Sequence, residues 1–513
     1  MNYTANSLRG MAITALLVPA VVGAQTLPPV PVPPENPITP EKTILGKILF
    51  WEEQLSSNNT IACGTCHQPG AGSTDPRPAL HPGLDEIPNT PDDILGSLGV
   101  ARMDQTQAYV EDDIFGHDVQ VTGRSTPSFL GTQWAPETFW DGRAGSQFLD
   151  PETGVVQVAV GGALENQAVG PILNDVEMAH ENRSWSDVTG KLQGATPLAF
   201  ASDLPADMLA ALTVDPTYPD LFAAAFGDPA ITATRIGFAI ATYERTLIPD
   251  QTPWDDFIAG NQQALTPAQA QGWQVFQGSA CANCHQPPLF TDNTFRNIGL
   301  RPIAEDAGRQ DVTGIPPDAG RFKVPTLRNV GIMPRLMHNG QIEDVADALD
   351  FYLLRNGHVH FPQNQDPLVQ GGVPLPPPAV PQVIDFLQNG LTDPRVAAET
   401  FPFDRPALGS ETSVDVTVDL PLAALDLRAA PNPFSDRTTL SFSVERTGPV
   451  VARVFDIRGA LITQFDQGVA SPGSHTWTWD GRTAGGRPVP SGVYFVRIDA
   501  GGLSETGRVV RMR

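Results

Sequence analysis

Cysteine is scarce in this chain. There are four in 513 residues, and all four fall into two Cys-x-x-Cys-His groups, so none is left for an independent disulfide. Positive charge is scarce as well. Lys and Arg number 32 against 57 Asp and Glu, a formal charge of −25, which excludes the basic footprint a nucleic-acid binder needs. Charged residues are only 17%, and past the first 22 residues no apolar run is long enough to span a bilayer, which takes about 20 residues. Gly (47) and Pro (50) are abundant and mark a loop-rich chain with Pro-rich joints. A hydrophobic content of 41% supplies real cores and excludes a disordered chain. The length exceeds what one core usually holds and predicts about two to four domains.

The start reads as an export signal. Arg9 precedes an apolar run from Met11 to Val22, and small residues then lead to Ala24, the expected cleavage site of a secretory signal peptide spanning 1–24. The run is too short for a membrane anchor. The mature protein is expected in the periplasm, on the outer surface or secreted, with no transmembrane segment. Residues 25–40 form a Pro-rich extended leader.

Helical patterning follows. Ile44, Leu45, Ile48 and Leu49 share one face, and so do Ile236, Ile240, Tyr243 and Leu247, whose helix Pro249 ends. Trp273 with Phe276, Val345 with Leu349, Tyr352 and Leu353, and Val383 with Ile384 and Leu387 mark further helices. Residues 68–116 read as a long loop or insertion. From Pro431 the texture changes to period-two alternation, as in Leu440–Val444, Val450–Phe455, Thr476–Trp479 and Val493–Ile498. That tail holds ten Arg against seven acids, so it carries +3 and the rest of the chain −28. The predicted fold class is mostly α, with a small all-β sandwich at the end.

The chemistry lies in Cys63-Gly-Thr-Cys66-His67 and Cys281-Ala-Asn-Cys284-His285. Cys-x-x-Cys-His is the attachment signature of c-type haem, in which two thioethers anchor the porphyrin and the adjacent His reaches the iron. A thioredoxin-like pair would sit in a βαβ context that is missing here. A single zinc ion drawing on both groups would leave the His after each pair unexplained. Two covalent haems are therefore expected, with His67 and His285 as proximal ligands.

The flanks of both groups resemble the bacterial di-haem cytochrome c peroxidase family, including its methylamine-utilisation branch, MauG. The resemblance rests on LGKILFWEEQLSSNNTIACGTCHQP (45–69), GRSTPSFLGTQWAPETFWDGRA (123–144), QAVGPILNDVEM (167–178), FTDNTFRNIGL (290–300) and GRFKVPTLRNVGIMPRLMHNG (320–340), in the family's order. It implies two cytochrome c-like haem domains: a peroxidatic one over 41–250 and an electron-transfer one over 251–400. A linker (401–428) and the β-sandwich (429–513) follow. It also implies hydrogen peroxide as substrate, a small c-type cytochrome or cupredoxin as electron donor, and admits a homodimer. Reducing peroxide takes two electrons and each haem supplies one, which gives a pair of haems its purpose.

The resemblance assigns roles residue by residue. Glu177 aligns with the distal acid/base that moves a proton between the peroxide oxygens, and Gln167 with the distal amide. Trp140 aligns with the tryptophan between the haems. Between Trp140 and Gln167 this chain carries an insertion, roughly 147–164. The family's distal His on the first haem corresponds by register, ten residues before Pro127, to His117, with His81 as the alternative and a solvated loop His as a third reading. On the second haem the register gives Tyr352, where the peroxidases have Met and MauG has Tyr; a core tyrosine is the competing reading, and Met333 and Met337 are fallback ligands. A phenolate would lower that haem's potential relative to a thioether. The family's calcium ion would take Ser125, Met333 and Arg335, with Ser125 standing where the family has Asn.

The same resemblance leaves two further readings open. One is a MauG-like oxidase acting on a partner protein, and the other a surface electron-transfer cytochrome. The tail, with PNPF at 431–434 and Gly492-Val-Tyr-Phe495, is similar to C-terminal sorting domains of the type IX secretion system; an ordinary β-sandwich binding module is the alternative.

Overall fold

The structure is a computed structural model. It describes residues 26–412 and, in the tail, 427–432, 434–444, 448–456, 461–471, 473–500 and 503–512. The expected signal peptide lies outside the described residues. The chain divides into two compact units, one ending at Thr412 and one from Ser413.

The first unit is helical and loop-rich, built on two separate cores. Helix α1 (Pro40–Phe50) starts where the sequence dictates. Thr39 caps it by accepting the Lys42 N–H (3.2 Å), and Pro40 occupies the first turn, where a missing N–H costs nothing. Its buried Leu45, Ile48 and Leu49 pack on the Ala233–Thr246 helix, which carries the predicted Ile236, Ile240 and Tyr243 stripe. The two backbones touch at Gly46, where a methyl would collide with the Ala239 carbonyl oxygen. A buried network locks this crossing. Arg245 pairs with Glu165 (2.6 Å), Asn36 donates to Glu165 (2.9 Å), and Lys42 donates to Asn36 (3.0 Å).

The second core gathers Trp254, Trp273, Phe276, Phe290, Val345, Leu349, Phe351, Val383 and Phe386. It contains the expected helices Pro267–Gln277, Val345–Tyr352 and Val380–Asp385, the last running on into a wider turn over Phe386–Gly390. The chain then returns to the first core, in which Val396, Phe403 and Leu408 are buried.

Residues 68–116 are not all loop. Strands β1 (Pro78–His81) and β2 (Ile94–Ala101) form an antiparallel sheet with β3 (Val119–Val121), ordered β1-β2-β3. The Ile94-Leu-Gly-Ser-Leu-Gly-Val-Ala101 run is the apolar stretch that forms the central strand. Its Pro-, Asp- and Gly-rich flanks conceal it in the sequence. The segment expected to be an insertion, 147–164, contains a small hairpin, Phe148–Leu149 against Val156–Val158.

The second unit has two antiparallel sheets. One orders Leu461–Ala470, Gly448–Asp456, Gly492–Ala500 and Leu503–Arg511; the other orders Gly473–Trp479, Thr438–Val444 and Arg428–Ala430. Alternate residues of both, including Leu440, Phe442, Ala452, Val454, Val496 and Ile498, meet in one core with Trp479 and Tyr494.

Candidate active site

The first Cys group closes one helical turn, Cys63–Cys66, pinned by the Ala62 N–H donating to Thr65 Oγ1 (2.8 Å). The Trp51 ring lies directly against Gly64, leaving no room for a side chain there. The His67 Nδ1–H donates to the Ser73 carbonyl (3.1 Å), so the lone pair on Nε2 is free. Burial holds the imidazole below its usual pKa, which keeps it neutral, the form that binds iron. Burial also pushes the Cys63 thiol up to about 12 and Cys66 well above its ordinary value. A redox-active Cys-x-x-Cys needs the opposite shift, because its thiolate is the reagent.

These residues open into a cavity of about 750 Å³, ample for a porphyrin. Gln167, from the Ala163–Val169 helix, lines it, and so does Glu177, from the loop that follows. That loop is clamped. The Val100 N–H donates to the Val176 carbonyl (3.0 Å), Gln120 Nε2 to the Asp175 carbonyl (2.9 Å), and the Glu177 N–H to Asn174 Oδ1 (3.0 Å). Burial raises the Glu177 carboxyl above the ordinary carboxylate range, opposed by the Arg143 charge.

The second Cys group, Cys281–Cys284, lines a smaller cavity of about 180 Å³. The His285 Nδ1–H faces two carbonyls, of Phe290 and Pro325, each at 3.2 Å, which again leaves Nε2 free. Burial raises both thiols and lowers the His285 pKa. Each Cys group has its own cavity, and among the described residues no cluster of three His, Cys, Asp or Glu could hold a single metal ion. The one-zinc reading therefore has no site among them.

Trp140 lines both cavities, as do Ser125–Ser128 and Lys323–Thr326, which form a common wall. Side chain and backbone of Trp140 are both tethered: the indole Nε1–H donates to the Ser125 carbonyl (2.8 Å), and the Trp140 carbonyl accepts from the Lys323 N–H (2.7 Å). Its ring stands 6.4 Å from that of His338, which is stacked on Phe322 at 3.6 Å.

Known proteins share this plan. A family model described as di-haem cytochrome c peroxidase matches residues 40–263. The methylamine utilization protein MauG of Methylorubrum extorquens is 30% identical over 328 residues, covering 63% of this chain and 72% of the relative. The chain belongs to the di-haem cytochrome c peroxidase family. A second relative in it, the cytochrome c551 peroxidase of Nitrosomonas europaea, is 28% identical over 348 residues, 67% of this chain and 82% of its own. A solved MauG-like protein associated with microbial copper homeostasis shares the fold, with a TM-score of 0.52 and 23% identity, covering 74% of this chain and 96% of that one. In the tail, residues 433–502 match the FlgD Ig-like domain.

Family membership makes the protein an oxidoreductase and implies two c-type haems. The donor set at each cavity suits one haem: two neutral thiols and a neutral imidazole whose Nε2 is free. The distal positions divide. His117 is exposed and lines neither cavity, whereas His81 lines the first. Counting back from Pro127 passes through β3 into the 102–118 excursion, so the register no longer reports position. His81 Nδ1 accepts from the Gly83 N–H (3.2 Å), which in the neutral ring puts the proton on Nε2. Tyr352, Met333 and Met337 all line the second cavity, and burial raises the Tyr352 phenol. Ser125, Met333 and Arg335 line it too, with the Ser125 carbonyl already accepting from Trp140.

One residue escaped the sequence reading. Glu244 lines the first cavity, buried, with Oε2 unpartnered among the described residues. Burial pushes its carboxyl up to about 8. It lies four residues beyond Ile240 on an otherwise apolar stripe, and an acid at such a position was the available signal.

Proposed function

We propose that the protein reduces hydrogen peroxide to water at the first cavity, H2O2 + 2 e− + 2 H+ → 2 H2O, with electrons entering through the second cavity from a small redox protein. The observation that carries this reading is the meeting of Glu177 and Gln167 in the cavity that also holds Cys63, Cys66 and His67. The haems, one per Cys group, would supply the two one-electron couples that the stoichiometry requires. Cys63, Cys66 and His67 would hold one and Cys281, Cys284 and His285 the other. Glu177 would take the proton from one peroxide oxygen and return it to the other, the departing one, and Gln167 would donate its amide N–H to the peroxide. Trp140, fixed between the cavities, is the relay. The acidic sequence outside the tail favours a basic donor.

Tyr352 favours a second reading, a MauG-like oxidation of residues on a partner protein, with the phenol as ligand at the second haem. Steady-state peroxide consumption with a reduced c-type cytochrome separates the first reading from the others: turnover supports the peroxidase, and its absence with an intact di-haem spectrum leaves the oxidase or a surface electron-transfer cytochrome. Export is part of the proposal, with the FlgD-like tail as sorting domain and Ser125, Met333 and Arg335 as the calcium position. Among the described residues no helix is long and apolar enough to cross a membrane.

A further inference from the structure

Between β2 and β3 the chain leaves the sheet after Ala101 and re-enters it at Val119. The excursion is not slack. Asp104 Oδ1 accepts the N–H groups of Thr106 (2.8 Å) and Ala108 (3.1 Å), and the Val110 N–H donates back to the Arg102 carbonyl (3.1 Å). A second turn is tighter. Asp112 and Gly116 exchange both backbone hydrogen bonds (2.7 and 2.9 Å), and Asp112 Oδ1 accepts the N–H groups of Ile114 and Phe115 at 2.9 Å each. This turn carries Ile114 and Phe115 into the wall of the first cavity. Phe115 meets the His81 ring edge-on at 5.6 Å, and Ile114 remains 39% exposed, so it sits where the cavity meets solvent.

We propose that Ile114 and Phe115 form a size filter on the first cavity, admitting hydrogen peroxide and excluding bulky organic hydroperoxides. The proposal rests on the peroxidase reading for its substrate but not for its geometry. A porphyrin would fill most of this cavity, so selection among peroxides falls to the side chains at its rim. Both are apolar and offer no hydrogen bond to a peroxide, so they act by occupying space. Each apolar group of this size changes discrimination roughly tenfold or more.

The test uses the haem-loaded full chain with Ile114→Ala and Phe115→Ala. Two ratios are measured: kcat/KM for cumene hydroperoxide over hydrogen peroxide, and the affinity of the ferrous protein for tert-butyl isocyanide over methyl isocyanide. Each substitution is expected to raise both ratios roughly tenfold. Ratios unchanged in both variants overturn the filter. Ile114, exposed at the solvent edge, keeps the test valid if Phe115→Ala disturbs folding. Raised isocyanide ratios without peroxide turnover would uphold the filter and sink the peroxidase reading.

Discussion

Glu177 sits in the first cavity with its carboxyl held above the ordinary range, and as a base it works only when ionised. Activity should therefore fall as pH drops through a value above 4.5, seen as the acidic limb of kcat/KM. Glu177→Gln should lower kcat/KM by about 10²–10⁴-fold and abolish that limb, with the haem spectrum intact. Glu244 gives the opposite kind of signal, in stability. Between pH 4.5 and about 8 the unfolded chain gives up this proton and the folded one keeps it, so stability falls as pH rises across that window. Glu244→Gln should flatten the fall by a few kcal/mol, measured by urea unfolding at both ends of the window. The Cys and His residues were legible in the sequence because each group is contiguous. Glu244 was not, because the fold and not its neighbours brings it to the cavity.

Among elements, helices with a clean apolar stripe were legible, as α1 and the Ala233–Thr246 helix demonstrate. The β1-β2-β3 sheet was missed because Pro-, Asp- and Gly-rich flanks dominate its segment and its strands pair around a long excursion. In the tail, Leu461–Ala470 escaped for lack of clean alternation, whereas Thr438–Val444 alternates buried and half-buried residues along its length. The α1 crossing offers a direct test of packing. Gly46→Ala puts a methyl into the Ala239 carbonyl, and should destabilise by about 1–3 kcal/mol in urea unfolding.

As a whole molecule, the protein separates its chemistry from its tail. The two cores of the first unit contain both Cys groups' surroundings, and the tail has a core of its own. A chain ending at Thr412 should keep both haems and the proposed peroxide turnover, and lose only the export outcome proposed for the tail; loss of haem from the truncated chain would show that the units depend on each other. The proposed function requires two haems to act as one two-electron unit across the wall that holds Trp140. It is tested most directly by titrating the fully reduced protein anaerobically with hydrogen peroxide while following both haems optically. One equivalent of peroxide per chain should reoxidise both. Reoxidation of a single haem, or of neither, would contradict the account.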